Sequence, residues 1–154
     1  MFALVIVVDQ LTKHAVSNWI MPGQVHKLIP GIEFVDVRNT GVAFSLFSGG
    51  GTVVLVITLV ALGCLTCYFA MRPERRLLWL PTGLLLGGAV GNLIDRIRAG
   101  AVTDFIKLPH WPAFNVADIA ITFGVITLVY TIEFGARRER GASGGASARG
   151  TSGG

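Results

Sequence analysis

Four apolar runs, at residues 2–20, 52–71, 77–93 and 116–134, constrain this chain more than any other feature. Each is long enough, or nearly so, to cross a hydrocarbon layer of about 30 Å as a helix rising 1.5 Å per residue. A soluble domain carries about 25% charged residues. Here 14% of 154 residues are charged, 52% are hydrophobic and the mean hydropathy is +0.64. The reading is one integral-membrane domain whose backbone polar groups are satisfied inside helices. The formal charge of +4 reads as membrane orientation. With no basic stripe interleaved with aromatics, it does not read as nucleic-acid binding.

Four spans place both termini on one side. Arg72, Arg75 and Arg76 share that side with Arg137, Arg138 and Arg140, so the positive-inside rule makes it cytoplasmic. The opposite loops, 21–51 and 95–115, mix both signs of charge. The domain occupies 1–136, and 137–154 is expected to be a cytoplasmic, disordered tail, rich in Gly, Ser and Ala from 141. No Lys or Arg precedes Asp9, which favours an uncleaved first helix, with a late start trimming its inner end. In the first outer loop, Pro30 and Gly31 supply a turn before the β-branched and aromatic stretch 32–38, expected to be a short strand or hairpin. Residues 43–47 read as a helical turn or interfacial segment, and Gly49, Gly50 and Gly51 as a hinge. Cys64 and Cys67 read as small apolar packing residues, and with no other cysteine there is no disulfide framework.

The chemistry must come from polar groups that a membrane protein carries at a cost. Asp9 and Lys13 stand at i and i+4 and neutralise each other across one helical turn, a structural role facing the bundle interior. Asn92, Asp95 and Arg96 close the third run after the small residues Gly87, Gly88, Ala89 and Gly91. They form either an interfacial polar cap or a group that binds a peptide backbone or orients a carboxylate. Asn115 three residues before Asp118 is a capping-box variant, and the helix dipole favours a carboxylate there; capping and catalysis are equally served. Asp104, after Thr103, reads locally as a solvated turn residue. Were Asp104 and Asp118 to meet, they would form a proton-sharing acid/base pair. His14, His26 and His110 have no metal-ligand spacing, and Ser45 and Ser48 no matched base, so metalloprotease and serine-protease readings are poor and no metal or other cofactor is expected.

Five segments together resemble the lipoprotein signal peptidase (signal peptidase II) family. They are Asp9-Gln10-Leu11-Thr12-Lys13, Arg38-Asn39-Thr40-Gly41-Val42-Ala43-Phe44-Ser45, Gly87-Gly88-Ala89-Val90-Gly91-Asn92-Leu93-Ile94-Asp95-Arg96, Val102-Thr103-Asp104-Phe105 and Phe114-Asn115-Val116-Ala117-Asp118. Their order matches, over about residues 4–135. The resemblance implies an all-α membrane protein of four transmembrane helices with a small extracytoplasmic β-cradle and a short interfacial helix. It implies a bacterial inner-membrane aspartic endopeptidase that cuts diacylglyceryl-modified prolipoproteins just before the lipidated cysteine and is a target of globomycin-type cyclic peptides. On motif match, Asp104 and Asp118 are the catalytic pair, Asn39, Asn92, Asp95, Arg96 and Asn115 line or brace the site, and Asp9 and Lys13 support it. Partners are then lipidated prolipoproteins and membrane lipids, with a monomer as the default.

Two other classes fit the sequence less well. A transporter or scaffold would use Asp9 and Lys13 near mid-bilayer and show internal repeats, of which none is convincing. A presenilin-like intramembrane protease would carry Gly-x-Gly-Asp within a span, and that motif is absent.

Overall fold

The computed structural model describes residues 1–21, 24–41, 56–57, 60–61, 63–64, 66–69, 71 and 78–149, and beyond residue 133 the backbone alone. Helix α1 (Phe2–Trp19) leads into a hairpin of β1 (Val25–Ile29) and β2 (Ile32–Asn39); α2 (Trp79–Ala99), β3 (Val102–Lys107) and α3 (Val116–Arg149) follow. Residues 56–57, 60–61, 63–64 and 66–69 are helical. The interfacial segment expected at 43–47, the hinge at 49–51 and the loop at 72–76 lie outside the described residues.

The hairpin falls where the β-branched stretch predicts it. Proline fixes its own φ, and Gly31 takes φ +89°, a combination suited to a tight turn between the strands. The sheet is antiparallel, in the order β1-β2-β3. Its third strand comes from the second outer loop, where the sequence suggested a turn. Val37, Arg38 and Asn39 pair with Asp104, Thr103 and Val102, beyond an irregularity between Phe34 and Val37. A small apolar core joins the sheet to the end of α1, with Val16, Ile20 and Phe105 buried and Phe34, Ile106 and Val116 packed against them.

Glycines set how closely the helices approach. Gly83, Gly87 and Gly91 repeat every four residues and so share one face of α2. A Cβ on Gly87 would lie 2.8 Å from Val5 Cβ, and one on Gly91 would lie 2.6 Å from Asp9 Oδ2, so this face is closed by α1. Gly88 faces the other way, where a Cβ would lie 2.5 Å from the Ala117 carbonyl oxygen at the start of α3. Small residues let two backbones touch, and here they seat α2 between its partners.

Three expectations change. Helix α2 runs to Ala99 rather than ending with the apolar run at 93, because Arg96 and Arg98 suit its last turn and Gly100, at φ +70°, supplies a left-handed cap. Helical backbone continues from Val116 to Arg149, through residues that composition alone would leave irregular. Cys64 and Cys67 are exposed, not packed, and are free thiols. Among the described residues, the one helix long and apolar enough to cross a membrane is Val116–Glu133. Helix α1 carries Asp9, Gln10, Lys13 and His14 and so falls short on composition.

Candidate active site

The site forms where the C-terminal half of α2, strand β3 and the first turn of α3 converge. After β3 the chain turns over Pro109, His110 and Trp111, with His110 at φ +61°. Phe114 then returns beside Ile106: each donates its N–H to the other's carbonyl, at 2.9 and 2.8 Å. That return delivers Asn115 against Asp104. The thirteen residues between the two aspartates thus close into a short hairpin-like excursion.

Asn115 is fully buried and caps α3. Its Oδ1 accepts the Asp118 N–H (3.0 Å), and its own N–H donates to Asp118 Oδ2 (3.2 Å), a reciprocal capping box with aspartate in the acidic place. The same side chain reaches outward as well. Its Nδ2 donates to Asp104 Oδ1 (2.7 Å) and to Asn92 Oδ1 (3.1 Å). Asn92 Nδ2 in turn donates to Asp118 Oδ1 (2.8 Å). Two amides therefore tie both carboxylates together, and one residue serves as cap and tether.

The two carboxylates differ in setting. Asp104 is 2% exposed on β3, a correction to the solvated turn that its local sequence suggests. Asn39 Nδ2 donates to its Oδ2 at 2.8 Å from the neighbouring strand. Burial pushes the Asp104 carboxyl up to about 6; the Asn39 and Asn115 amides and the Lys13 charge oppose that rise, while the Asp118 charge adds to it. Asp118 is half-buried at the first turn of α3, where aligned backbone dipoles favour an anion.

Behind Asn92 stands a second cluster. Lys13 Nζ, on α1, contacts Asp9 Oδ2 (2.8 Å), Asp95 Oδ2 (2.9 Å) and Asn92 Oδ1 (2.9 Å), so all three ammonium protons are placed. Asp9 is completely buried, and its Oδ1 accepts the Ala117 N–H at 2.9 Å. A carboxylate from α1 thereby satisfies a first-turn N–H of α3. Asp95 Oδ2 also accepts the Thr103 N–H (3.1 Å), which fixes β3 one residue before Asp104. Arg96 lies half-buried at the edge, with one long contact, 3.4 Å, to the Asn92 carbonyl.

Every site residue predicted from sequence thus falls in one connected region. Asp104, Asp118, Asn39, Asn92 and Asn115 form the carboxylate group; Asp9, Lys13 and Asp95 brace it from behind; Arg96 borders it. Sequence reasoning passed over Gln10, whose Nε2 donates to Asp95 Oδ1 (2.9 Å) and the Gly91 carbonyl (3.2 Å). It also passed over Thr103, whose carbonyl and hydroxyl accept from Asn115 and Arg38. The available signal was position alone: a polar residue beside Asp9 in an apolar run, and one beside Asp104. Among the described residues, no three of His, Cys, Asp and Glu gather into a candidate metal ligand set.

Comparison with known proteins adds independent findings. A family model described as signal peptidase (SPase) II matches residues 1–134. A lipoprotein signal peptidase from Thermodesulfovibrio yellowstonii is 39% identical over 132 residues, covering 82% of this chain and 88% of that protein. One from Moorella thermoacetica is 43% identical over 131 residues, covering 84% and 87%. A solved structure described as a bacterial membrane enzyme, by the in meso method at 1.9 Å resolution, superposes with a TM-score of 0.77. It is 32% identical and covers 84% of this chain and 88% of that one. A second such enzyme, at 2.3 Å resolution, gives 0.74 at the same identity, covering 84% and 83%.

Proposed function

The chain belongs to the signal peptidase II family, and from that premise we propose that it cleaves the signal peptide from diacylglyceryl-modified prolipoproteins with Asp104 and Asp118 as a proton-sharing pair. The observation that carries the reading is that a chain of two amides links the carboxylates: Asn115 Nδ2 donates to Asp104 Oδ1 and to Asn92 Oδ1, and Asn92 Nδ2 donates to Asp118 Oδ1. Burial and the like charge of Asp118 both oppose ionisation of Asp104, so the two do not ionise together easily, and their different settings divide the labour.

Asp118, at a helix N-terminus and open to substrate, is the ionised member and general base. Asp104, buried and raised to about 6, holds the proton. A water between them gives a proton to Asp118 as its oxygen attacks the scissile carbonyl. Asp104 hydrogen-bonds the developing oxyanion and transfers its proton. Collapse of the tetrahedral intermediate breaks the C–N bond, the proton on Asp118 passes to the leaving amine, and a hydroxyl proton returns to Asp104. The pair ends as it began, and no covalent enzyme intermediate forms. The Asn39 and Asn115 amides keep the Asp104 oxygens aimed, and Arg96, with most of its guanidinium donors free, faces substrate carbonyls at the rim.

The proposed topology is four transmembrane helices with cytoplasmic termini and the sheet at the outer face of the inner membrane. Exposed apolar residues along α3, such as Phe123, Ile126 and Val129, then face lipid. The lipidated cysteine sits beside the pair while its acyl chains stay in the bilayer. Products from a dipalmitoylglyceryl-cysteine peptide, identified by mass spectrometry with wild type, Asp104→Asn and Asp118→Asn, test this reading. A single cut before the lipidated cysteine, lost in both variants, is expected; cleavage by either variant at the wild-type rate removes the pair from the mechanism.

A further inference from the structure

A separate cavity of about 350 Å³ lies on the far side of the Lys13–Asp95 cluster, between α1, the end of α2 and the sheet. Its volume is at the lower end of the range for ligand sites. Its walls carry His14 and Ser17 from α1, Arg98 from the last turn of α2, and Arg38 and Thr103 from the sheet. Asp95 and Lys13 separate it from the Asn92 tether.

The charge in this cavity is preorganised and under-used. Arg38 Nη1 donates to Thr103 Oγ1 (2.9 Å), and Nη2 donates to Ser17 Oγ (3.3 Å). Three of its five N–H groups are left. Asp36 Oδ1 lies 3.3 Å from Arg38 Nε without the alignment of a hydrogen bond, so this pair is loose. Arg98 is exposed, and no acid pairs with it among the described residues. Asp95, the acid in the wall, already accepts from Lys13, Gln10 and the Thr103 N–H, so the unsatisfied charge facing the cavity is cationic. Leu11 on α1 and Ile97 on α2, each next in sequence to a lining residue (Gln10 and Arg98), are exposed apolar side chains.

We propose that this cavity binds the phosphate of a membrane phospholipid headgroup, with Arg38 and Arg98 as its cationic jaws and Ser17 and His14 as polar contacts. Guanidinium groups suit phosphate because their planar N–H pairs match its oxygens. An anionic phosphoglycerol headgroup is preferred over a zwitterionic one, whose ammonium would meet the same arginines. The lipid source rests on the membrane topology proposed above. The site's chemistry does not, and its test reads binding rather than peptide cleavage.

Native mass spectrometry of the full chain, released from nanodiscs of mixed dioleoyl phosphatidylglycerol and phosphatidylcholine, should show selective retention of phosphatidylglycerol. Arg98→Gln, an exposed change outside the catalytic group, should weaken that retention about fivefold. Arg38→Lys, which keeps charge but loses the fork, should weaken it too. Equal retention by wild type and Arg98→Gln, or equal retention of the two lipids, would overturn the proposal. Protection of the site by millimolar inorganic phosphate as complete as that by phosphatidylglycerol would overturn the lipid assignment in favour of a soluble anion.

Discussion

Two carboxylate clusters stand back to back on either side of Asn92, and they solve the same problem differently. On one side, Asp9 and Asp95 share the Lys13 ammonium, which is fully bonded. On the other, Asp104 and Asp118 have no cation in hydrogen-bonding contact among the described residues and rely on the amides of Asn39, Asn92 and Asn115 and one backbone N–H. A buried ion pair holds charge in place, and breaking it is expensive. Neutral amides orient a carboxylate and oppose its protonation less than a paired cation would, so burial still raises the proton affinity of Asp104. The first arrangement suits a brace, the second an acid. Asn92 takes part in both, which ties the chemistry of one cluster to the rigidity of the other.

The sharpest way to break this contrast is to neutralise one acid in each cluster. Asp104→Asn and Asp118→Asn should each lower cleavage of a lipidated peptide by at least about 10³-fold while thermal stability in detergent changes little. If Asp9→Asn matched them in activity loss with stability intact, the division between brace and acid would fail.

Next in size is Lys13→Met, which leaves Asp9 and Asp95 buried without a counter-charge. A loss of about 3–5 kcal/mol is expected, read as a lowered unfolding midpoint. Replacing Asp9, Lys13 and Asp95 together by apolar residues of similar volume should recover part of it. A Lys13→Met protein as stable as wild type would show that the cluster does not brace the fold.

Gly88→Ala tests the geometry between the clusters. Its Cβ would press on the Ala117 carbonyl at 2.5 Å, a backbone atom that cannot swing aside. Overpacking of this kind costs about 1–3 kcal/mol. Because it shifts the first turn that carries Asp118, turnover should fall further than stability.

The smallest expected effect is a displacement in pH. The carboxyl pKa of Asp104 is raised from 3.8 to about 6 in the folded protein, so the folded state binds the extra proton between those values. Stability from this group is full below about 3.8 and is lost as pH rises through about 6. Activity that needs the proton should likewise decline above about 6, as an apparent value for the pair. Asn39→Ala removes an amide that lowers the Asp104 pKa, so this alkaline limb should move to higher pH. A pH–rate profile of kcat/KM reads the shift, and an unmoved or downward-moved limb would contradict the assignment of Asp104 as the acid.

Local chemistry made part of this legible. The hairpin at Pro30 and Gly31, the Asn115–Asp118 capping box and the Asp9–Lys13 pair all rest on residues within four positions of each other, where spacing alone dictates who can touch. Strand β3 was not legible: it is six residues long, contains an aspartate, and acquires its partner from β2, with Arg38 opposite Thr103 across 65 positions. Nor could spacing tell that Asp9 accepts from the Ala117 N–H 108 positions away. Asp104 illustrates the difference best. Its neighbours in sequence make it a turn residue, and its neighbours in space make it a buried acid.

By itself, then, the sequence determined the apolar runs, the local caps and turns, and an ordered set of motifs that already pointed to one family. Those follow from hydrophobic length, helical spacing and residue chemistry, which need no knowledge of distant contacts. Tertiary structure alone decided that Asp95 joins Asp9 on the Lys13 ammonium while Asp104 and Asp118 meet amides. That outcome depends on glycines of α2 admitting α1 and α3 to contact, and on a strand pairing that brings Asp104 under Asn39. Burial and partner, not residue type, set a carboxylate's affinity for its proton, and both are properties of the assembled fold.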